Sequence, residues 1–273
     1  MTIIAVTLSV FGLVILILGF GKIKESFQFR KNVKTLFAQS KNVSGQVFQE
    51  NQLVHLPEPV QRYFKHILKN GQPYISYARI KHNGQFKPGI DKGWLNIQGE
   101  QYATTDIPGF IWKGTTAFFV AFDMYIADKG RLIVSLLSLY PIVNAQGKPF
   151  DQGELLRWLG EGVMYPTIFL PGKGLDWMPI DANTAKLTYH YKDLSLFFIV
   201  KFKENGEITE METKRYMDEK RLETWVIKVT NYKKWHEVLI PTAFEVLWRL
   251  EKGDFAYAKF NITEVEYNIA EKF

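Results

Sequence analysis

From Tyr74 to the C-terminus the chain is a succession of short segments in which apolar and polar residues alternate, and this period of two constrains the fold more than any other feature. YISYARIKHNGQFK, WLNIQGEQYATT and FIWKGTTAFF read as strands, separated by NG and PG turn signals. AKLTYHY, LSLFFIVKF, EITEMETKRY, ETWVIKVTNY, TAFEVLWRL and FAYAKFNITEVEY follow, joined by short polar turns such as KENG (203–206) and EKGD (251–254). One-sided alternation with tight turns specifies an antiparallel meander. Strands do not alternate with long helices, so a parallel α/β sheet is set aside. A sheet of this many strands twists and curls. The expected fold is mainly β (α+β): a curved antiparallel sheet or half-barrel with short helices on its concave face.

Two helices break the alternation. LPEPVQRYFKHILKNGQP starts on Pro57 and Pro59, presents Val60, Tyr63, Phe64, Ile67 and Leu68 on one side, and stops at Gly71 and Pro73, which predicts a helix near 57–69. DQGELLRWLGEGVMYPTIFLP predicts a second near 151–163, with Asp151 as N-cap and Leu155, Leu156, Leu159 and Val163 toward the core. RLIVSLLSLYPIV (131–143) is apolar in both phases of the alternation and reads as one strand buried on both faces, one of which is a candidate cavity wall.

The N-terminus has a different character. Met1 to Phe20 is uncharged, about the length of helix that crosses a hydrocarbon core of roughly 30 Å. No basic residue precedes this run, and GFGKIKE follows it without a small-x-small cleavage site, so the expectation is an uncleaved transmembrane anchor rather than a signal peptide. Residues 1–41 hold Lys22, Lys24, Arg30, Lys31, Lys34 and Lys41 against Glu25 alone; the rest of the chain is nearly neutral. The net charge of +6 is therefore a juxtamembrane feature facing membrane lipid, and a nucleic-acid partner is not expected. Phe29, Val33, Leu36 and Phe37 recur at helical spacing, a stripe that either lies on the bilayer or packs on the folded part. The expected organisation is an anchor at 1–21, a basic amphipathic segment at 22–52 and a single antiparallel β domain at 53–273.

Chemistry leaves little trace. There is no cysteine, and the five histidines show no metal-ligand spacing; no nucleophile elbow, phosphate loop or dinucleotide fingerprint is present. No metal, cofactor or catalytic residue is assigned. Glu154, Arg157 and Glu161 share one helix face and read as an ion-paired ladder with Arg157 in the middle. A general acid/base role for the two glutamates fits poorly, because seven residues of helix place them about 10–11 Å apart. Candidates for lining an apolar cavity are Phe110, Trp112, Tyr125, Val134, Leu136, Trp158 and Trp177.

Four motifs together resemble a bacterial family of membrane-anchored proteins of unknown function: LPEPVQRYFKHILKNGQPYI, the W-x-x-I-x-G-E-Q-Y-x-T-T segment, DQGELLRWLGEGVMYPTIFLP and ITEVEYN, covering Leu56 to Asn268. The resemblance implies a half-barrel similar to that of the LolA-like lipoprotein carriers, and a place in the bacterial plasma membrane as a single-pass protein. Those carriers are extracytoplasmic, whereas the basic flank favours a cytoplasmic domain. Three functions stay open: a membrane-tethered, non-catalytic binding domain for a lipid or another small hydrophobic ligand, a docking partner of a second membrane component, and a hydrolase. Oligomeric state is not legible.

Overall fold

The computed structural model describes residues 2–172 and 174–273, with the side chains of the first helix described only in part. Among these residues thirteen strands form one sheet, antiparallel throughout. The first group is β1 Tyr77–Phe86, β2 Leu95–Thr104, β3 Gly109–Thr115, β4 Phe119–Ile126, β5 Lys129–Leu136 and β6 Tyr140–Gln146. The second is β7 Leu175–Asp181, β8 Thr184–Tyr191, β9 Leu194–Phe202, β10 Ile208–Tyr216, β11 Leu222–Trp235, β12 Val238–Leu250 and β13 Gly253–Tyr267. Each group is a meander. They join at the middle of the sheet, where β1 pairs with β13, so β6 lies at one edge and β7 at the other.

That order has a consequence for the helices, which are α1 Thr2–Ala38, α2 Glu58–Ile67 and α3 Lys148–Gly160. The chain leaves the sheet at β6 and re-enters at β7, so α3 and the 3₁₀ turns Glu161–Met164 and Pro166–Phe169 must traverse one whole face. α3 holds both halves at once. Asp151 Oδ1 accepts a hydrogen bond from the Gly130 N–H of β5 at 2.8 Å, and the Gly153 carbonyl accepts one from Arg215 Nε of β10 at 3.0 Å. β5 and β10 are eight places apart in the strand order. At about 4.8 Å per strand a flat sheet would separate them by roughly 38 Å, far more than one helix spans sideways, so the sheet is curled around α3.

Both faces of the sheet are covered in part. Inside the curl, Tyr63 and Phe64 of α2 and Leu155 and Leu159 of α3 pack with Phe198, Val200, Ile227 and Ile240 in the main core. Outside, α1 lays Phe29, Val33, Leu36 and Phe37 on Tyr102, Ile111 and Phe122, with Phe37 edge-on to Tyr77 at 5.3 Å. The amphipathic stripe therefore packs on the folded part of the chain. Among the described residues no helix is long and apolar enough to cross a membrane, and the expected anchor falls partly on side chains outside the described set.

Several local expectations are corrected. RLIVSLLSLYPIV is not one doubly buried strand but the hairpin β5–β6, turning at Leu137 and Ser138 at the sheet edge, with Leu136, Tyr140 and Ile142 exposed. The turn was hidden because both residues have positive φ, 50° and 62°, in positions where Asn and Gly are the usual signal. FIWKGTTAFF divides into β3 and β4 at Thr116. Asn83-Gly84 is no turn at all. It lies inside β1, where a β-carbon on Gly84 would collide with the Lys259 carbonyl of β13. α3 begins at Lys148, with Gly147 at its N-cap and Pro149 in its first turn, which leaves Asp151 free to bind Gly130 and Lys129 instead of capping.

The packing of α1 yields a test. Phe29→Ala should destabilise the full chain by about 3 kcal/mol or more, as for other buried Phe truncations. Phe27→Ala, at an exposed site on the same helix, should change stability by no more than about 0.5 kcal/mol. Denaturant titration of both variants measures the difference.

Candidate functional site

The curl leaves a space between α3 and the inner face of the sheet. It is a cavity of about 850 Å³, lined on its apolar side by Ile80, Phe86, Val134, Ile142, Phe244 and Trp248 among others. Its entrance is formed by the β1–β2 loop from Lys87 to Asp91, the Tyr216–Asp218 segment with Arg221, and Pro149 and Phe150 at the start of α3. This is within the volume range of sites that hold small organic ligands, commonly ~300–1,000 Å³.

One part of the wall is charged. Arg157 Nε donates to Glu161 Oε1 at 2.8 Å, its Nη1 pairs with Asp123, and its guanidinium plane lies 4.9 Å from the Phe110 ring and 5.0 Å from the Trp112 ring. Gln101 Nε2 donates to the other oxygen of Glu161 at 2.7 Å. Arg215 donates to Glu154 Oε1 at 3.0 Å while stacking 4.6 Å from the Trp225 ring. The expected ladder is thus half present: Glu161 pairs with Arg157, but Glu154 reaches Arg215 on β10. The side chain of Glu154 is 4% exposed and that of Arg157 12%, so these are buried ionisable groups.

Burial governs their protonation. Glu154 has its pKa raised well above the ordinary carboxyl value of 4.5, by burial first and then by the charge of Asp123, with Arg215 and Arg157 opposing. A hydrogen bond between Glu154 and Asp123 acts in the same direction. Glu154 Oε2 and Asp123 Oδ1 are both buried without a hydrogen-bond partner, a need that one proton between the two carboxyl groups would meet. In the form with a proton on Glu154, two arginines face two carboxylates and the cluster carries no net charge. Burial opposes the charge of Arg157, yet Glu161, Asp123 and Glu154 together hold its pKa above the usual arginine value.

His82 completes this wall. Burial, and next the charge of Arg157, push its pKa down to about 3, so the ring is neutral at physiological pH. Its Nε2 accepts the Trp112 indole N–H at 2.7 Å, and the Phe260 ring lies 4.3 Å away. Room for the two rings comes from glycine. Gly99 faces both His82 and Gly114 across the neighbouring strands; a β-carbon on Gly99 would overlap the His82 ring, and one on Gly114 the Trp112 ring. The GEQ of the WLNIQGEQY motif therefore contributes a vacancy at Gly99 and the Gln101 hydrogen bond to Glu161. Among the described residues no group of three or more acidic, His or Cys side chains could hold a metal ion.

Of the residues singled out from sequence, Trp112, Val134, Glu154, Arg157 and Glu161 line the cavity. Phe110 is buried beneath Arg157, and Tyr125 is buried nearby on the same face of β3–β4. Trp158 donates its indole N–H to the Thr104 carbonyl at 2.8 Å, and Trp177 donates to Phe169 at 2.9 Å; both are core. Leu136 is exposed beside the β5–β6 turn. Sequence reading missed His82, Gln101, Asp123 and Arg215. Each had a signal: it occupies the inward phase of its strand, in step with Ile80, Ala103, Ala121 and Met211, where an apolar residue is the rule.

The profile of a family of unknown function, DUF6544, matches residues 46–260. The chain belongs to that family. No curated protein matches the sequence. Among solved structures the chain is similar to a putative outer membrane lipoprotein-sorting protein domain from Vibrio parahaemolyticus, at 8% identity and a TM-score of 0.41 over 70% of this chain and 85% of that one. It is also similar to a LolA superfamily protein from Nitrosomonas europaea, at 11% identity and a TM-score of 0.35 over 77% and 92%. A DUF1329 family protein from Desulfovibrio piger gives 8% identity and a TM-score of 0.37 over 71% and 87%.

Two substitutions test the electrostatics. Arg157→Ala strands buried carboxylates and should cost about 3–5 kcal/mol. Glu154→Gln, which keeps a donor toward Asp123 and an acceptor toward Arg215, should fold normally. Because the folded pKa of Glu154 lies above its unfolded value, the stability it contributes is complete below the unfolded value and is lost as pH rises through the folded one. The Gln variant should therefore lose less stability than the parent over that rise, as read from thermal melts at a series of pH values.

Proposed function

We propose that this protein is a membrane-tethered, non-catalytic binding protein for a hydrophobic ligand with a polar end. The observation that supports this reading is the cavity: about 850 Å³, apolar over most of its wall and charged where Arg157, Arg215, Asp123, Glu154 and Glu161 meet. An acyl chain fits the apolar part, and a headgroup rich in hydrogen-bonding atoms fits beside the charged part, where no net charge needs neutralising. The tether is the uncharged run from Met1 to Phe20, followed by Lys22 and Lys24 at headgroup depth. We take the protein to be a plasma-membrane protein of bacteria on the same grounds.

Hydrolysis is the second reading, favoured by one feature, the buried Glu154 in the cavity wall, whose pKa burial raises above the ordinary carboxyl value. Against it, Glu154 Oε1 is held by Arg215, and among the described residues no Ser or Thr lines the cavity to serve as nucleophile. Incubation with acyl esters distinguishes the two: turnover abolished by Glu154→Gln would replace binding with catalysis.

Native mass spectrometry of the full chain released from mild detergent, followed by lipid extraction, tests the binding reading. Acyl species should accompany the protein. Val134→Trp, which fills the cavity from β5, should lower their occupancy at least about tenfold, equivalent to ~1.4 kcal/mol, with the circular dichroism spectrum unchanged. A protein free of ligand in both forms would overturn it.

A further inference from the structure

The turns at the cavity entrance share one end of the sheet. β1, β3 and β5 all run toward it, so the β1–β2 loop, the β3–β4 turn at Thr116–Phe118 and the β5–β6 turn lie together there. This corner leaves large apolar side chains in solvent: Ile90, Phe118, Leu137, Leu139 and Tyr140 are each at least 40% exposed. Leu137 and Ser138 keep positive φ values that cost a non-glycine residue strain. The strained tip is tied to its neighbour, since the Leu137 N–H donates to the Phe118 carbonyl at 3.1 Å.

α1 passes the same corner. A β-carbon on Gly21 would collide with the Leu139 side chain, so the helix touches the β5–β6 turn at that residue. C-terminal to this point α1 descends along the outer face of the sheet and buries Phe29 to Phe37. N-terminal to it the helix leaves the sheet, and Ile4, Phe11, Leu13, Leu16 and Phe20 are exposed. Twenty helical residues extend about 30 Å, the thickness of a bilayer core. Lys22 and Lys24 stand at the junction, with Lys87 and Lys92 on the adjacent β1–β2 loop.

We infer that this corner docks on a lipid bilayer, with the β5–β6 tip and Phe118 inserted at the headgroup boundary, so that the cavity opens toward the membrane from which its ligand comes. The inference rests on the tether and cavity reading above. A bilayer is the occupant because the patch lies at the base of the apolar helix. The uncharged run of the helix ends where Gly21 meets Ser138 and Leu139 of the β5–β6 turn. Basic side chains around that point complement anionic headgroups. The opposite end of the sheet turns at Thr105–Pro108, Ala127–Asp128, Ala182–Asn183, Lys203–Glu207 and His236–Glu237, and among the described residues of those turns Ile107 is the one large apolar side chain left exposed.

The absence of cysteine makes the test direct. The full chain, carrying Tyr140→Cys, Phe118→Cys or, at the far end, Asn205→Cys, is labelled with a fluorophore and reconstituted into vesicles of phosphatidylcholine and phosphatidylglycerol whose acyl chains bear a nitroxide quencher. Labels at 140 and 118 should be quenched and the label at 205 should not. Labels at 140 and 118 as bright as that at 205, or all three quenched alike, would overturn the docking. Native mass spectrometry of the same labelled protein, released from the vesicles into mild detergent, keeps the two readings apart. Retained ligand with labels 140 and 118 in water removes the docking alone; loss of ligand with both labels in lipid removes the cavity reading alone.

Discussion

The hold of α3 on β5 and β10 is the constraint on which the rest of the structure depends. Two meanders that exit and enter at opposite edges can be joined only by a connection crossing the sheet, and Asp151 and Gly153 fasten that connection to strands eight places apart. The sheet cannot flatten without breaking one of these bonds. Curl, inner core and cavity all follow from it. The core fills the space near α2 and the β7–β9 side, while the side toward β1–β6 and the strands β10–β13 keeps a void.

The charged wall of that void is costly by the standards of a protein interior. Replacing buried ion pairs with packed apolar groups is often neutral or stabilising, so stability alone is a weak reason to bury Arg157 and Arg215. Their arrangement limits the cost in three ways. Charges are balanced once Glu154 keeps its proton, each guanidinium lies over aromatic rings, and Gln101 and the Gly153 carbonyl satisfy remaining hydrogen-bonding capacity. The wall is consequently rigid as well as polar. In the proposed reading such a wall orients one end of an amphiphile while the apolar remainder of the cavity accepts its chain.

Sheet, helices and family were legible in the sequence, and for local reasons. Alternation of period two reports which face of a strand meets water, so the meander of β8 to β13 could be read from composition along the chain. The proline and glycine punctuation of the 57–69 segment reports helix ends directly, and α2 forms within it. The hairpins next to the β6 edge were not legible, because the turns at Ala127–Asp128 and Leu137–Ser138 use non-glycine residues at positive φ. Nothing in a side chain announces that conformation; it is imposed by the strands on either side once they pair.

What the sequence by itself determined is the repertoire: antiparallel strands, two short helices, an uncharged N-terminal run with a basic flank, and a polar residue at the inward phase of four strands. Each follows from periodicity or chemistry within about fifteen residues. Only the tertiary structure decided that His82, Gln101, Asp123 and Arg215, from strands β1, β2, β4 and β10, converge on one face of α3. It alone decided that Glu154 pairs with Arg215 rather than Arg157, and that the stripe on α1 covers the outer sheet. The reason is physical. The partner of a buried charge, and the surface that covers an amphipathic stripe, are set by which strands the closing β1–β13 pair and the α3 crossover bring together, and those contacts join residues up to about two hundred positions apart.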